Sequence, residues 1–178
     1  CTSQKQNKPL TTLFETSKGT QTPEYKDVIS FYKNLEQAYP TISMTQEGQT
    51  DSGYPLHVVY FEPSGKRSTS TSQLQKRTKN ILLINNGIHP GESDGIDACM
   101  LLLRDLAQGT IQAPINTIIA VIPVYNIGGA LQRNSTSRTN QEGPKTYGFR
   151  GNARNYDLNR DFIKADTKNA KAFTKLFR

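Results

Sequence analysis

An α/β fold, with helices packed on both faces of a mixed, largely parallel sheet, is what this sequence predicts. Three observations carry it. A strand-like run, a helix-like run and a second strand-like run follow one another between residues 80 and 125, the order of a βαβ unit. Two β-favouring runs separated by Asp-Ser-Gly precede them, the signal of a hairpin that adds antiparallel edge strands. The 178 residues are 34% hydrophobic and 21% charged, with a mean hydropathy of -0.63, which suits one domain with a real core.

In chain order, residues 1–21 are polar and aperiodic and read as a tether or surface strap ahead of a domain over 22–178. Cys1 stands at the very start. A bacterial lipoprotein, cut at the cysteine that then carries the lipid, begins this way and continues into a polar tether such as CTSQKQNKPLTT. That reading expects a bacterial cell envelope or periplasmic location, with membrane anchoring through lipid on Cys1. An arbitrary chain start looks the same.

A helix follows in TPEYKDVISFYKNLEQAYP, where Thr22 suits the N-cap, Pro23 the first turn, and Tyr25, Val28, Ile29, Tyr32 and Leu35 recur at helical spacing until Pro40. In the hairpin's second strand, Leu56, Val58 and Tyr60 share one face and His57, Val59 and Phe61 the other. SGKRSTSTSQLQKRTK is a solvated basic loop. NILLINNG has the continuous apolar run of a strand buried on both faces. Over 93–107, Ile96, Cys99, Met100, Leu103 and Leu106 mark a helix that Gly109 stops, with Cys99 packing as a small buried hydrophobe. INTIIAVIPVYN is a second buried strand. Residues 126–156 are rich in Gly, Asn and Arg and lack periodicity, a length of loop that is usually functional or disordered. DTKNAKAFTKLFR closes with Ala170, Phe173 and Phe177 at helical spacing.

Lys plus Arg outnumber Asp plus Glu by 22 to 15, a net charge of +7. Part of the excess lies in the basic loop, and part (Arg133, Arg138, Lys145, Arg150, Arg154, Arg160) lies near the motifs below. No groove-reading helix or stacking motif accompanies it, so nucleic acid is not an expected partner. No run approaches the ~20 apolar residues of a membrane-spanning helix. Two cysteines this far apart give no disulfide framework, and a monomer is expected.

Two stretches carry chemistry. In HPGE, His89 leaves a buried strand and Glu92 enters the next helix, so both converge beyond the strand's carboxyl end, where open α/β sheets hold ligands. Imidazole nitrogen and carboxylate oxygen are ordinary zinc ligands. The same residues are also compatible with a loop histidine beside a helix-start glutamate that favours the macrodipole. In FRGNARNYDLNRDF, Arg150, Asp157, Asn159 and Arg160 offer several donors and fixed positive charge suited to a carboxylate, or else a polar loop that satisfies its own backbone.

These two motifs, in this order and some sixty residues apart, resemble those of the zinc carboxypeptidases, the carboxypeptidase A-like metallopeptidases. IIAVIPVYNIGG also resembles the strand ahead of that family's Asn-Pro-x-Gly loop. The resemblance covers roughly residues 24–178, the N-terminal part of such a catalytic domain, with the C-terminal part missing. It implies a Zn2+ cofactor and a peptide substrate with a free C-terminal carboxylate. His89 and Glu92 would be the first two metal ligands, and Asp157 would hold the other ring nitrogen of His89. Asn159 and Arg160 would bind the substrate's terminal carboxylate, and Arg150 would be catalytic, stabilising the oxyanion.

Departures accompany the likeness. Pro90 and Gly91 stand where many members carry an arginine between the ligands. The family's third ligand, capping tyrosine and glutamate base would follow Arg160, yet the last 18 residues hold no His, Glu or Tyr. The site as written is incomplete and the 178 residues are expected to be inactive alone, as the N-terminal part of a longer enzyme. His57 is expected to be a half-exposed strand histidine, not a ligand. Two alternatives remain: an N-acyl amino acid amidohydrolase of the same superfamily, and a non-catalytic carboxylate-binding remnant.

Overall fold

The computed structural model describes residues 10–66, 80–114 and 116–177. Cys1, with its expected lipid, and Arg67, Lys76, Arg77 and Lys79 of the basic loop lie outside them.

Four strands make the main sheet. β1 (Ile42–Gln49) and β2 (Pro55–Phe61) pair antiparallel across the turn at Asp51–Gly53. β2 pairs antiparallel with β4 (Thr117–Ile122), and β4 pairs parallel with β3 (Asn80–Asn85), giving the order β1-β2-β4-β3. The sheet is mixed, and one of its three pairings is parallel.

Helices cover both faces. On one, Val59, Phe61, Ile119 and Val121 meet α2 (Tyr25–Ala38) and α3 (Asp94–Gln108), which bring Val28, Tyr32, Leu35, Met100 and Leu103. On the other, Leu56, Val58, Tyr60, Ile118 and Ala120 meet Ala172 and Leu176 of α5 (Lys168–Phe177). Each large side chain so buried contributes roughly 1.5–3 kcal/mol, so the two layers dominate the stability.

α3 runs from N-cap Ser93 to Gly109, whose φ of 73° makes the left-handed C-cap that the glycine predicts. Just ahead of α5, the Thr167 hydroxyl accepts from Ala170 N at 3.0 Å, while Asp161 accepts from the N–H groups of Asp166 and Thr167.

Residues 10–21 form a strap. Thr12 and Glu15 make a capping box for α1 (Leu13–Thr16), and Glu15 takes Arg104 of α3 at 2.7 Å.

Several expectations need correction. α2 starts at Tyr25 with Glu24 as N-cap, not at Thr22 and Pro23. The guanidinium of Arg133 donates to the carbonyls of Thr22 and Pro23 at 3.0 and 3.1 Å, which holds that segment extended. β3 is not buried on both faces: Leu82 is 52% exposed, because among the described residues β3 pairs only with β4. The stretch 126–156 is not structureless. It contains α4 (Ile127–Leu131) and a ribbon of β5 (Arg133–Asn134) with β6 (Tyr147–Gly148). His57 is buried, not half-exposed, with Nδ1 3.2 Å from the hydroxyl of Tyr25, and burial pulls its pKa down.

Candidate active site

Because β3 and β4 are parallel, with Asn85 opposite Ile122, their carboxyl ends open on one side of the sheet. The loops leaving them are tied together. Asn86 N donates to Ile122 O at 3.1 Å, Tyr125 N to Asn86 O at 2.8 Å, and Asn126 N to Gly87 O at 3.0 Å. Gly87 sits at φ 64°, which a side chain would resist, and a Cβ there would meet Ile96 at 3.2 Å. This turn delivers a buried His89 and an exposed Glu92 just ahead of α3.

A second arm carries Arg150. Asn126, fully buried, donates through Nδ2 to Ile88 O at 3.3 Å and to Arg150 O at 2.9 Å, and accepts from Gly129 N at 2.8 Å. One side chain therefore pins the histidine loop to the arginine loop. Beyond Arg150 the Asn-rich spacer folds back on itself. Asn152 Oδ1 accepts from Arg154 N and Tyr156 N, both at 2.9 Å, and Asn155 takes φ 60°, which asparagine tolerates. The ends of that loop meet: Arg150 Nε and Nη2 donate to Asp157 Oδ2 at 3.2 and 2.8 Å.

His89 closes the circuit. Its Nε2 lies 2.8 Å from Asp157 Oδ1, while Nδ1 lies 3.4 Å from both Glu92 Oε1 and Arg150 Nη1. The short contact to a carboxylate outranks the two long ones, so Nε2 carries the proton and Nδ1 keeps its lone pair. A guanidinium can only donate, which agrees with Nδ1 as acceptor. Burial pushes the Asp157 carboxyl up, but the bonds from His89, Arg150 and the N–H of Asn159 outweigh it and hold the group at about 2. Burial likewise opposes ionisation of Glu92, and Arg138, 2.9 Å from Oε1, and His89 hold it below the ordinary carboxylate range.

The donor chemistry fits a metal in part. Two ligands on a tetrahedral zinc with bonds of ~2.0–2.1 Å stand about 3.4 Å apart. The separation of Nδ1 and Oε1 is 3.4 Å. Among the described residues no group of three His, Cys, Asp or Glu side chains completes such a shell.

His89, Glu92, Arg150 and Asp157 are thus brought into one set of contacts. Asn159 and Arg160 follow, exposed, on the turn Leu158–Arg160 that buried Leu158 anchors, the arginine lining a separate cleft of about 490 Å³ together with Asp157. Two residues escaped the sequence reading. Asn126 was visible only as part of NIGG, and its bracing role depends on contacts 24 and 38 residues away. Arg138 sits in an aperiodic loop, and its one signal is indirect: Gly91 leaves room for it, since a Cβ there would stand 2.8 Å from Arg138 Cδ.

The fold and site together are those of a mixed α/β domain with an imidazole–carboxylate pair at the ends of its parallel strands. The model of one family, zinc carboxypeptidase, matches residues 28–175, and the chain belongs to that family. No curated protein sequence matches it.

Solved structures agree on the fold. Thrombin-activatable fibrinolysis inhibitor is 16% identical over 99% of this chain and 48% of its own, with a TM-score of 0.65. A metallo-carboxypeptidase from Burkholderia cenocepacia is 19% identical over 84% of this chain and 36% of its own, at 0.59. The bovine fibrinolysis inhibitor, solved with a tick carboxypeptidase inhibitor, is 14% identical over 89% of this chain and 56% of its own, at 0.59. The chain therefore spans about half the length of these structures or less. No helix among the described residues is long and apolar enough to cross a membrane.

Proposed function

We propose that the protein is a zinc-dependent metallocarboxypeptidase that hydrolyses the C-terminal peptide bond of peptides, and that these residues carry half of its active site. One observation supports this reading above the rest. The ring of His89 is fixed through Nε2 by Asp157, which leaves Nδ1 facing Glu92 at 3.4 Å. A loop histidine beside a helix-start glutamate needs no such second carboxylate.

His89 Nδ1 and Glu92 Oε1 would hold the zinc, with a third ligand outside the set described. Zinc, when bound, supplies a Lewis acid and an acidified water. The chain's own residues do the rest. Asp157 fixes the tautomer and tilt of His89 as a ligand. Arg150, held by two bonds to Asp157, presents a preorganised positive charge beside His89, where the oxyanion of a cleaved amide develops. Asn159 and Arg160 take the substrate's terminal carboxylate through directed donors.

The test compares three substrates for the zinc-supplied protein: a peptide with a free C-terminus, the same peptide amidated, and an N-acyl amino acid. Release of the last residue from the first alone, abolished by chelator, is the expected result. Cleavage of the N-acyl amino acid alone would assign the amidohydrolase reaction instead. Chelator-insensitive binding of the free peptide without cleavage would mark a carboxylate-binding remnant.

A further inference from the structure

Arg138 and Arg150 border a cleft of about 390 Å³ whose walls are the 137–141 loop on one side and Phe149 with Arg150 on the other. Among the described residues no carboxylate lines it, while two guanidiniums and four neutral polar side chains do. Arg150 lines this cleft, and its ion-pair partner Asp157 lines the one that holds Arg160. A peptide whose terminal carboxylate lies at Arg160 and whose scissile carbonyl lies at Arg150 runs next into the cleft of Arg138.

We infer that Arg138 selects substrates, holding an acidic side chain on the residue just amino-terminal to the scissile bond. This rests on the carboxypeptidase reading and deepens it.

Arg138 is a built feature of the site. Its backbone N–H donates to the buried Tyr147 hydroxyl at 3.2 Å, and the loop start is turned by Asn134, whose Oδ1 accepts from the N–H groups of Thr136 and Ser137. Gln141 ties the far end of the loop to Gly91 O at 2.9 Å. The stem then crosses Gly91, where any Cβ would stand 2.8 Å from Cδ and 3.2 Å from Nη1. The glycine between His89 and Glu92 is thus what admits an arginine from elsewhere in the chain.

Charge supplies the second argument. Of the five N–H donors of a guanidinium, Arg138 commits one, through Nη2, to Glu92 Oε1. That oxygen is also the one that faces His89 Nδ1. Glu92 is half exposed and meets one edge of the guanidinium through that single oxygen, so the remaining donors of Arg138 are available to a second anion whether or not a cation is bound. A guanidinium fork recognises a carboxylate through paired bonds, which a neutral amide of the same shape cannot match.

Calorimetry on chelator-treated protein, where nothing is cleaved, tests this with acetyl-Ala-Glu-Phe, acetyl-Ala-Gln-Phe and the C-terminal amide of the first. The glutamate peptide is expected to bind about tenfold more tightly than its glutamine twin. Arg138→Gln should bring the two within about twofold while leaving the glutamine peptide's affinity unchanged, and Arg138→Lys should retain part of the preference. Matched unfolding midpoints establish that both variants are folded. Equal binding of the two peptides by the unsubstituted protein, or an undiminished preference in Arg138→Gln, overturns the proposal. Equal binding of acid and amide overturns the carboxypeptidase reading instead, whatever the glutamate preference. No binding of any of the three overturns both.

Discussion

Replacing Asp157 by asparagine removes a charge on which three donors converge: His89 Nε2 at 2.8 Å, the Arg150 fork at 2.8 and 3.2 Å, and the N–H of Asn159 at 3.0 Å. An amide has one acceptor oxygen, so its NH2 group must face either the histidine or the arginine, both donors. The magnitude follows from the carboxyl being held at about 2 against an ordinary 3.8. At ~1.4 kcal/mol per pH unit that displacement is worth roughly 2 kcal/mol, and about 1–2 kcal/mol once solvent screening at the rim is allowed for. The folded-state pKa is depressed, so the contribution is full above the unfolded value and disappears as pH falls from about 4 towards 2. Urea unfolding of both proteins at pH 7, 4 and 2.5 measures it. Asp157→Asn should be less stable by about 1–2 kcal/mol at pH 7, with the gap closing at the acid end. Other carboxylates titrate alike in both proteins and cancel in the difference. A gap that stays constant with pH, or none at pH 7, would refute the idea that this carboxylate is held ionised by its neighbours.

Other substitutions have definite expected outcomes. Arg150→Ala, assayed in the catalytically active protein, should lower turnover about 10²–10³-fold and leave KM nearly unmoved, because the oxyanion is felt mainly in the transition state. An unchanged turnover number would remove Arg150 from that role. Gly129→Ala should destabilise by about 2–3 kcal/mol in a urea melt, although alanine ordinarily favours a helix, since its Cβ would run into Phe149 O and stand 2.8 Å from Gly151 O. Asp97→Asn should stabilise by about 1–2 kcal/mol at pH 7 and by little at pH 4. Burial pushes the Asp97 carboxyl up to about 6 and its Oδ1 has no hydrogen-bond partner, so the charged form costs stability as pH rises from about 4 through 6. Thermal midpoints that move equally at both pH values would count against it.

The parts of the fold legible in the sequence are those governed by local period and by stop signals. Alternation put Leu56, Val58 and Tyr60 on one face and Val59 and Phe61 on the other, the two sides the structure covers with α5 and with α2 and α3, and Gly109 ended α3 as a left-handed cap. What escaped depends on contacts distant in sequence. The apparent N-cap at Thr22 was lost because Arg133, 111 residues on, claims its carbonyl. The burial of β3 was overread because an apolar run does not say which strands flank it. His57 looked half-exposed because strand alternation gives a face and not what covers it, here Tyr25 of α2. In the site, the spacing of HPGE and of RGNARNYDLNR marked side chains that do meet. The bracing by Asn126 and the approach of Arg138 past Gly91 were invisible, since each depends on contacts between residues far apart in sequence.

Two histidines make the central claim directly observable. A two-dimensional proton–nitrogen spectrum of the imidazoles resolves His57 and His89, and a zinc titration reads which nitrogen responds. The account predicts that His89 carries its proton on Nε2 before zinc is added. Zinc should then shift its Nδ1 resonance, leave His57 unmoved, and lose that effect in Glu92→Gln. A His89 that ignores zinc, or that binds it through Nε2 after breaking from Asp157, would contradict the site.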